Sequence, residues 1–231
     1  MGYTRKQILE QCEKSFSNKD VFYKNKFINY RGKTTDTKEY FTEIVAEFLC
    51  ENINEYISGI TKISRRSSYK TEGHEGKYSQ DTNREEEKIA MDIFCQSKES
   101  GELDYIGKIE DYQVPLKSKA DDVAGKIDLL SCDGSTMRIL ELKKPDSNET
   151  MLRCVLEGFT YLQTVDKDKL LTDFGYEPEK VTVKASPFVF KFGNQYKEML
   201  EKRPNLQKLM ELLNSKPYYI IKKDDYIVTE E

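Results

Sequence analysis

The segment from residue 125 to residue 143 constrains the fold of this chain more than any other. It contains two aliphatic runs on either side of an Asp133-Gly134 pair, and it reads GKIDLLSCDGSTMRILELK. Asp-Gly is one of the strongest signals for a two-residue hairpin turn, because both turn positions need a positive φ. The sequence therefore predicts an antiparallel hairpin that reverses at Asp133 and Gly134.

This turn predicts that Cys132 lies opposite Ser135 and that Asp128 lies opposite Ile139. Residues that face one another across two strands point to the same side of the sheet. The apolar side of the hairpin then comprises Ile127, Leu129, Leu140 and Leu142. The polar side comprises Asp128, Ile139, Glu141 and Lys143. A loop two residues longer would keep this division, whereas a shift by one residue would destroy it.

Two carboxylates and an amine on one side of a hairpin suit the hydrolysis of phosphodiesters. With Glu141 diagonal to Asp128, both carboxylates can reach one Mg²⁺, a hard ion that prefers oxygen ligands and keeps several waters. Such an ion activates water and polarises a phosphate, and Lys143 can orient the water or stabilise the added negative charge. The alternative is an amphipathic hairpin with an ordinary solvated face, because Glu-x-Lys also occurs at residues 75–77 and 86–88.

Composition narrows the class of protein without choosing among functions. The chain has 231 residues, 34% charged and 37% hydrophobic, which suits one polar domain with a substantial core. Its five cysteines form no CxxC pair and predict neither a zinc site nor a disulfide framework. No apolar run is long enough to cross a membrane, and we expect a cytoplasmic protein. The net charge of −4 is no mark of nucleic-acid binding, although residues 61–80 are locally basic.

Hydrophobic periodicity predicts a mixed α/β fold with helices on both faces of a sheet. Residues 1–80 are expected to form a helical region and a polar loop, with an apolar stripe from Tyr40 to Ile57, and residues 81–231 to form the core. The helices of the core are predicted at residues 84–97 and 148–165 and on both sides of Pro204. Its strands are predicted at residues 111–117, 125–132, 135–143, 181–192 and 218–221.

The hairpin residues resemble the active-site motif of the PD-(D/E)XK nuclease superfamily, which includes restriction endonucleases and repair exonucleases. The resemblance extends from about residue 84 to residue 192 and implies a restriction-endonuclease-like core with Asp128, Glu141 and Lys143 as catalytic residues. Ile127 stands where the motif has proline. Members usually carry a further acid on the helix before the hairpin, and Glu86 matches it as an additional metal ligand or base, with Glu87 as second choice.

The helix after the hairpin often contributes polar residues to the site in this superfamily. Arg153, Glu157 and Tyr161 recur at intervals of four opposite the apolar stripe of that helix. The resemblance implies substrate contacts for Arg153 and Tyr161, and Lys144 is a candidate for the substrate backbone. The alternative is a solvated helix face with an Arg–Glu pair. Some exonuclease-like members have Gln and Tyr at this spacing, where this chain has Glu157 and Tyr161.

Three functions follow from the sequence. The first is a Mg²⁺- or Mn²⁺-dependent nuclease that acts on nucleic acid, DNA rather than RNA. The second is a nuclease-like fold that binds nucleic acid or a protein with little or no cleavage. In the third the hairpin is only structural, and the N-terminal aromatic residues, such as Phe41 and Tyr56, form a homodimer interface or a lid instead of covering the sheet.

Overall fold

A computed structural model describes residues 2–74, 84–117 and 125–231 of the chain. Its helices are α1 (Arg5–Ser15), α2 (Phe41–Glu51), α3 (Ile53–Ser58), α4 (Glu85–Ser100), α5 (Met151–Thr164), α6 (Lys167–Asp173), α7 (Asn194–Leu200) and α8 (Pro204–Leu212). Its strands are β1 (Lys108–Pro115), β2 (Lys126–Cys132), β3 (Thr136–Lys143), β4 (Thr182–Phe190), β5 (Tyr218–Lys222) and β6 (Tyr226–Thr229). Two 3-10 helices, Lys19–Lys24 and Lys26–Asn29, link α1 to the chain that leads into α2.

The six strands form one mixed sheet in the order β1-β2-β3-β4-β5-β6. The pairs β1–β2, β2–β3 and β5–β6 are antiparallel, whereas β3–β4 and β4–β5 are parallel. Helix α5 makes the crossover from β3 to β4, as a parallel pair requires. The predicted mixed α/β fold is confirmed. Sequence analysis did not predict α6 or β6.

The hairpin closes with a longer loop than the predicted two-residue turn. Cys132 pairs with Met137 rather than Ser135, because Asp133 caps the loop with its carboxylate. That carboxylate accepts the backbone N–H groups of Ser135 and Thr136 at 2.9 and 2.8 Å. Only Gly134 of the predicted turn pair has a positive φ, of 88°. The register therefore shifts by two residues, which keeps the predicted division between the two sides of the hairpin at every predicted residue except Ile127.

The two faces of the sheet belong to two separate apolar clusters. Helix α4 covers one face, where Leu129, Leu140 and Leu142 pack with Ile93 and Phe94. Helix α5 covers the other face, which belongs to the larger cluster and includes Ile139. Ile127, predicted to share the face of Leu129, belongs instead to this larger cluster with its strand partner Val114.

The N-terminal region belongs to the same larger cluster as α5. Of the aromatic side chains proposed as a dimer interface, Phe41, Phe48 and Tyr56 are buried within the chain, and Tyr40 is half-buried. Glu43 of α2 accepts the N–H groups of Asn205 and Leu206 at 2.9 Å and so caps α8. The predicted polar loop is described as far as His74, and its remaining residues lie outside the described part of the chain. None of the described helices is long and apolar enough to cross a membrane.

Candidate active site

Asp128 lies at the centre of three strands. Leu129 pairs with Leu140 on β3 and with Tyr112 on β1, so the next residue, Asp128, faces Glu141 on one side and Gln113 on the other. Glu141 is thus directly opposite Asp128, not diagonal as predicted. One carboxylate oxygen of Asp128 accepts the backbone N–H of Leu142 at 3.0 Å, and the other accepts the side-chain amide of Gln113 at 3.1 Å.

Glu141 and Lys143 follow on the same side of β3 and are almost fully buried. The Lys143 Nζ lies 2.7 Å from Glu141 Oε1, 2.8 Å from Glu149 Oε2 and 3.6 Å from Glu157 Oε2. The second carboxylate oxygen of Glu141, Oε2, is buried and has no hydrogen-bond partner among the residues that the structure describes. An unpaired buried carboxylate oxygen is costly, so this atom marks a place where a cation or a water would be stabilised.

Helix α5 turns its polar residues inward onto this group. Glu157 accepts hydrogen bonds from Arg153 Nε and from the Tyr161 hydroxyl, both at 3.0 Å. Arg153 also donates to the backbone carbonyl of Tyr23 at 2.7 Å and stacks on the ring of that residue. Glu157 and Tyr161 are buried, so the expected solvated helix face is wrong. The hydrogen bonds of Arg153 and Tyr161, for which substrate contacts were predicted, go instead to Glu157 and Tyr23.

Glu86 and Lys144 lie where α4 meets the end of β3. The Glu86 carboxylate accepts the backbone N–H of Lys144 at 3.1 Å and so ties the helix to the strand. The Lys144 amine pairs with Glu85 and, at 3.3 Å, with Asp146. Glu86 therefore lies at the end of β3, where it lines the same cleft as Asp128. The resemblance implies a position near the site for the acid of the preceding helix.

A cleft of about 650 Å³ opens beside these residues. Seven of the side chains described above line it, and they are Glu85, Glu86, Gln113, Asp128, Lys144, Asp146 and Glu149. Glu141 and Lys143 do not line the cleft and lie behind Asp128 and Glu149. Of Asp128, Glu141 and Lys143, only Asp128 thus lines the cleft, and the amine of Lys143 contacts the cleft residue Glu149.

The site holds more negative than positive charge. Three carboxylates (Glu141, Glu149 and Glu157) contact the two inner cations, Lys143 and Arg153. At the cleft, four more carboxylates (Glu85, Glu86, Asp128 and Asp146) lie beside the amine of Lys144. Burial raises the pKa of Asp128 to about 7, and the charges of Glu157 and Glu86 act in the same direction against Lys143 and the Leu142 N–H. Burial, followed by the charge of Glu157, also raises the pKa of Glu141 well above its usual value.

The two basic groups remain charged and hold Glu157 ionised. Burial alone would lower the pKa of Lys143, but Glu141, Glu157 and Asp128 raise it well above its usual value. Burial alone would raise the pKa of Glu157, but Lys143 and Arg153 hold it below its usual value.

The predicted metal ligands do not already form a complete coordination shell. Within the described ranges, no three His, Cys, Asp or Glu side chains lie close enough together to hold a metal ion. The physical reason is that the ammonium of Lys143 occupies the space beside Glu141. The donor set nevertheless suits Mg²⁺, because it consists of hard carboxylate oxygens and includes the unpartnered Glu141 Oε2.

Gln113 and Glu149 were not predicted as residues of the site, and Glu157 was named without a role. Gln113 contacts Asp128, Glu149 pairs with Lys143, and Glu157 links Lys143 to α5. The spacing could have identified Glu149, because it extends the four-residue series of Arg153 and Glu157 one step back. Gln113 has a positive φ of 49°, so regular strand alternation does not place its side chain. The inward orientation of Glu157 could not be inferred, because both sides of α5 are covered.

No family model, no curated protein and no solved structure matches this chain.

Proposed function

We propose that this chain is a metal-dependent nuclease of the PD-(D/E)XK type with a restriction-endonuclease-like core, which hydrolyses phosphodiester bonds in nucleic acid, DNA rather than RNA. The order of the elements supports this proposal. An acid-bearing helix (α4), the hairpin β2–β3 and a polar helix (α5) follow one another along the chain, as the resemblance implies. Glu86 of α4 and Asp128 of the hairpin line the cleft, and Glu157 of α5 lies behind it, 3.6 Å from the amine of Lys143.

One observation carries the proposal. Asp128 and Glu141 face each other on paired strands, with a buried carboxylate oxygen that none of the described residues satisfies. A water or a cation would meet the hydrogen-bonding demand of that oxygen. Carboxylates outnumber the basic groups of the site, so a divalent ion would in addition relieve the repulsion between them.

Each residue of the site would have its own role in the hydrolysis of a phosphodiester. Asp128 and Glu141 would hold Mg²⁺ or Mn²⁺, with Glu86 as a further ligand at the cleft, and a bound ion supplies the charge that polarises a phosphate and acidifies a water. Lys143 keeps its proton and can donate hydrogen bonds to the developing negative charge at phosphorus. Glu86, which is partly exposed, can accept the proton of the attacking water. Lys144 lies at the cleft, where it can contact the substrate backbone.

The test is cleavage by the purified protein of plasmid, linear and single-stranded DNA and of RNA, with Mg²⁺ or Mn²⁺ and with a chelator. Asp128→Ala and Lys143→Ala should each lower the rate at least about 100-fold, because the first removes a metal ligand and the second removes the amine that stabilises the charge of the transition state. Glu177→Gln, in an exposed surface pair with Lys180, is the matched control and should cleave as the parent does. Metal-dependent cleavage that survives both alanine substitutions would refute the assignment.

A second function is favoured by the position of Lys143. Its amine contacts three carboxylates and does not line the cleft. This arrangement also suits a nuclease-like fold that binds nucleic acid or a protein without cleaving it. Calorimetric titration with Mn²⁺ separates the two. A nuclease should bind Mn²⁺ in a manner that Asp128→Asn abolishes, whereas a binding module should retain nucleic acid with no such dependence.

A further inference from the structure

Glu149 is the contact between the cleft and the buried amine of Lys143. It precedes α5, its side chain lines the cleft, and 31% of that side chain is exposed. Its Oε2 lies 2.8 Å from Lys143 Nζ, while its Oε1 lies 3.8 Å from Arg153 Nη2. Both oxygens of the carboxylate thus have a cationic partner, and its orientation is defined from two sides.

The other two partners of Lys143 lie deeper in the chain. The side chains of Glu141 and Glu157 are only 4% and 11% exposed. Without Glu149, the amine would keep these two buried partners alone, and Glu141 is the nearer at 2.7 Å. Because attraction between charges is stronger where water is excluded, the amine would then be held more firmly against Glu141.

Glu141 is also the carboxylate that the proposed function assigns to a divalent ion. The ammonium of Lys143 and that ion therefore compete for the same oxygens. A partner that pulls the amine toward the cleft weakens this competition. It also keeps the amine charged beside the place where a phosphate would lie.

We propose that Glu149 is a positioning residue that draws the amine of Lys143 toward the cleft and away from Glu141, so that Glu141 can bind a divalent ion. The inference rests on the proposed function, since it assumes that Glu141 is a metal ligand. It assigns to Glu149 a role exerted through Lys143, distinct from the general attraction of any acid for a cation.

A double-mutant cycle separates a role of Glu149 that is exerted through Lys143 from a direct attraction of its charge for the metal ion. Mn²⁺ alone is titrated by calorimetry into the full chain and into Glu149→Gln, Lys143→Met and the double variant. Glu149→Gln should weaken Mn²⁺ binding roughly tenfold in the parent, the scale of an outer-shell partner, and clearly less in the Lys143→Met background, where no amine competes. Asp146→Asn is the matched control, because this exposed acid near the cleft pairs with Lys144 instead.

An equal loss of affinity in both backgrounds would overturn the inference and leave the proposed function in place, because Glu149 would then act by its charge alone. The absence of Mn²⁺ binding in the parent chain would contradict both this inference and the proposed function. Should thermal unfolding show that Lys143→Met does not fold, Glu149→Asp supplies the test. It keeps the charge that holds the amine, so its Mn²⁺ affinity should lie close to that of the parent, and a loss equal to that of Glu149→Gln would overturn the inference.

Discussion

Asp128→Asn is expected to change how the stability of the metal-free protein depends on pH. The substitution keeps the shape of the side chain and an oxygen for the Leu142 N–H, and the amide of Gln113 can turn to meet the new amide. It removes a carboxyl whose pKa is raised by burial to about 7 in the folded chain. The unfolded chain releases that proton near the usual value of 3.8.

The sign and the size of the expected change in stability follow from the difference between the folded and unfolded pKa of Asp128. A carboxyl with a raised folded pKa contributes stability that is fully present below 3.8 and is lost as the pH rises to about 7. Each unit of pKa difference corresponds to about 1.4 kcal/mol, so the complete loss is at most about 4 kcal/mol. Because Asp128 opens onto the cleft, solvent screening should reduce it to about 2–4 kcal/mol. Asparagine does not ionise, so the Asp128→Asn variant does not lose this stability as the pH rises.

Urea unfolding at pH 5, 6, 7 and 8 in the presence of a chelator measures the effect. The free energy of unfolding of Asp128→Asn minus that of the parent should rise by up to about 1.4 kcal/mol per pH unit as far as pH 7 and stay level above it. Asp133→Asn is the matched control. Burial alone would raise the pKa of Asp133, but hydrogen bonds from Ser135, Thr136 and Arg138 hold it below its usual range. The free energy of unfolding of Asp133→Asn minus that of the parent should therefore stay constant from pH 5 to 8. Parallel curves for Asp128→Asn and the parent would refute the reasoning.

Three further predictions concern the same site. Lys143→Met should lower the free energy of unfolding by about 3 kcal/mol in urea at pH 8, because it leaves Glu141 and Glu157 without their shared cation, and an unchanged midpoint would contradict the buried network. Tyr161→Phe should cost about 1–3 kcal/mol through the lost hydrogen bond to Glu157, whereas the exposed Tyr105→Phe should cost almost nothing. Mn²⁺ should raise the thermal midpoint of the parent at pH 8 but not at pH 5, where Asp128 keeps its proton. An equal rise at both values would show that Mn²⁺ does not bind through this carboxylate.

The sides of the hairpin could be predicted because a β-strand alternates strictly. Asp128, Glu141 and Lys143 therefore share a side whether the loop has two residues or four. The loop itself could not be predicted from Asp-Gly, because a capping carboxylate competed with the local preference of the turn and favoured the longer form. Strand β6 was missed because it has only four residues and lies at the edge of the sheet, where a short apolar run gives little periodicity.

The buried polar residues of α5 were harder to predict for a different reason. A helix with one apolar stripe is expected to leave its other side in water. Here the N-terminal region covers that other side, and Glu157 and Tyr161 are enclosed between it and β3. Only a long-range contact decides this, and no local pattern in residues 148–165 reports it.

The bond from Arg153 to the carbonyl of Tyr23 connects the candidate site to the N-terminal region. Arg153 in turn orients Glu157, and Glu157 helps to hold Lys143, so a residue more than a hundred positions earlier in the chain contributes to the arrangement of the Lys143 amine. Trimming the protein to residues 81–231 would release this guanidinium and leave Glu157 less firmly held. Engineers who seek a minimal version of this domain should therefore keep Tyr23 and the elements that support it.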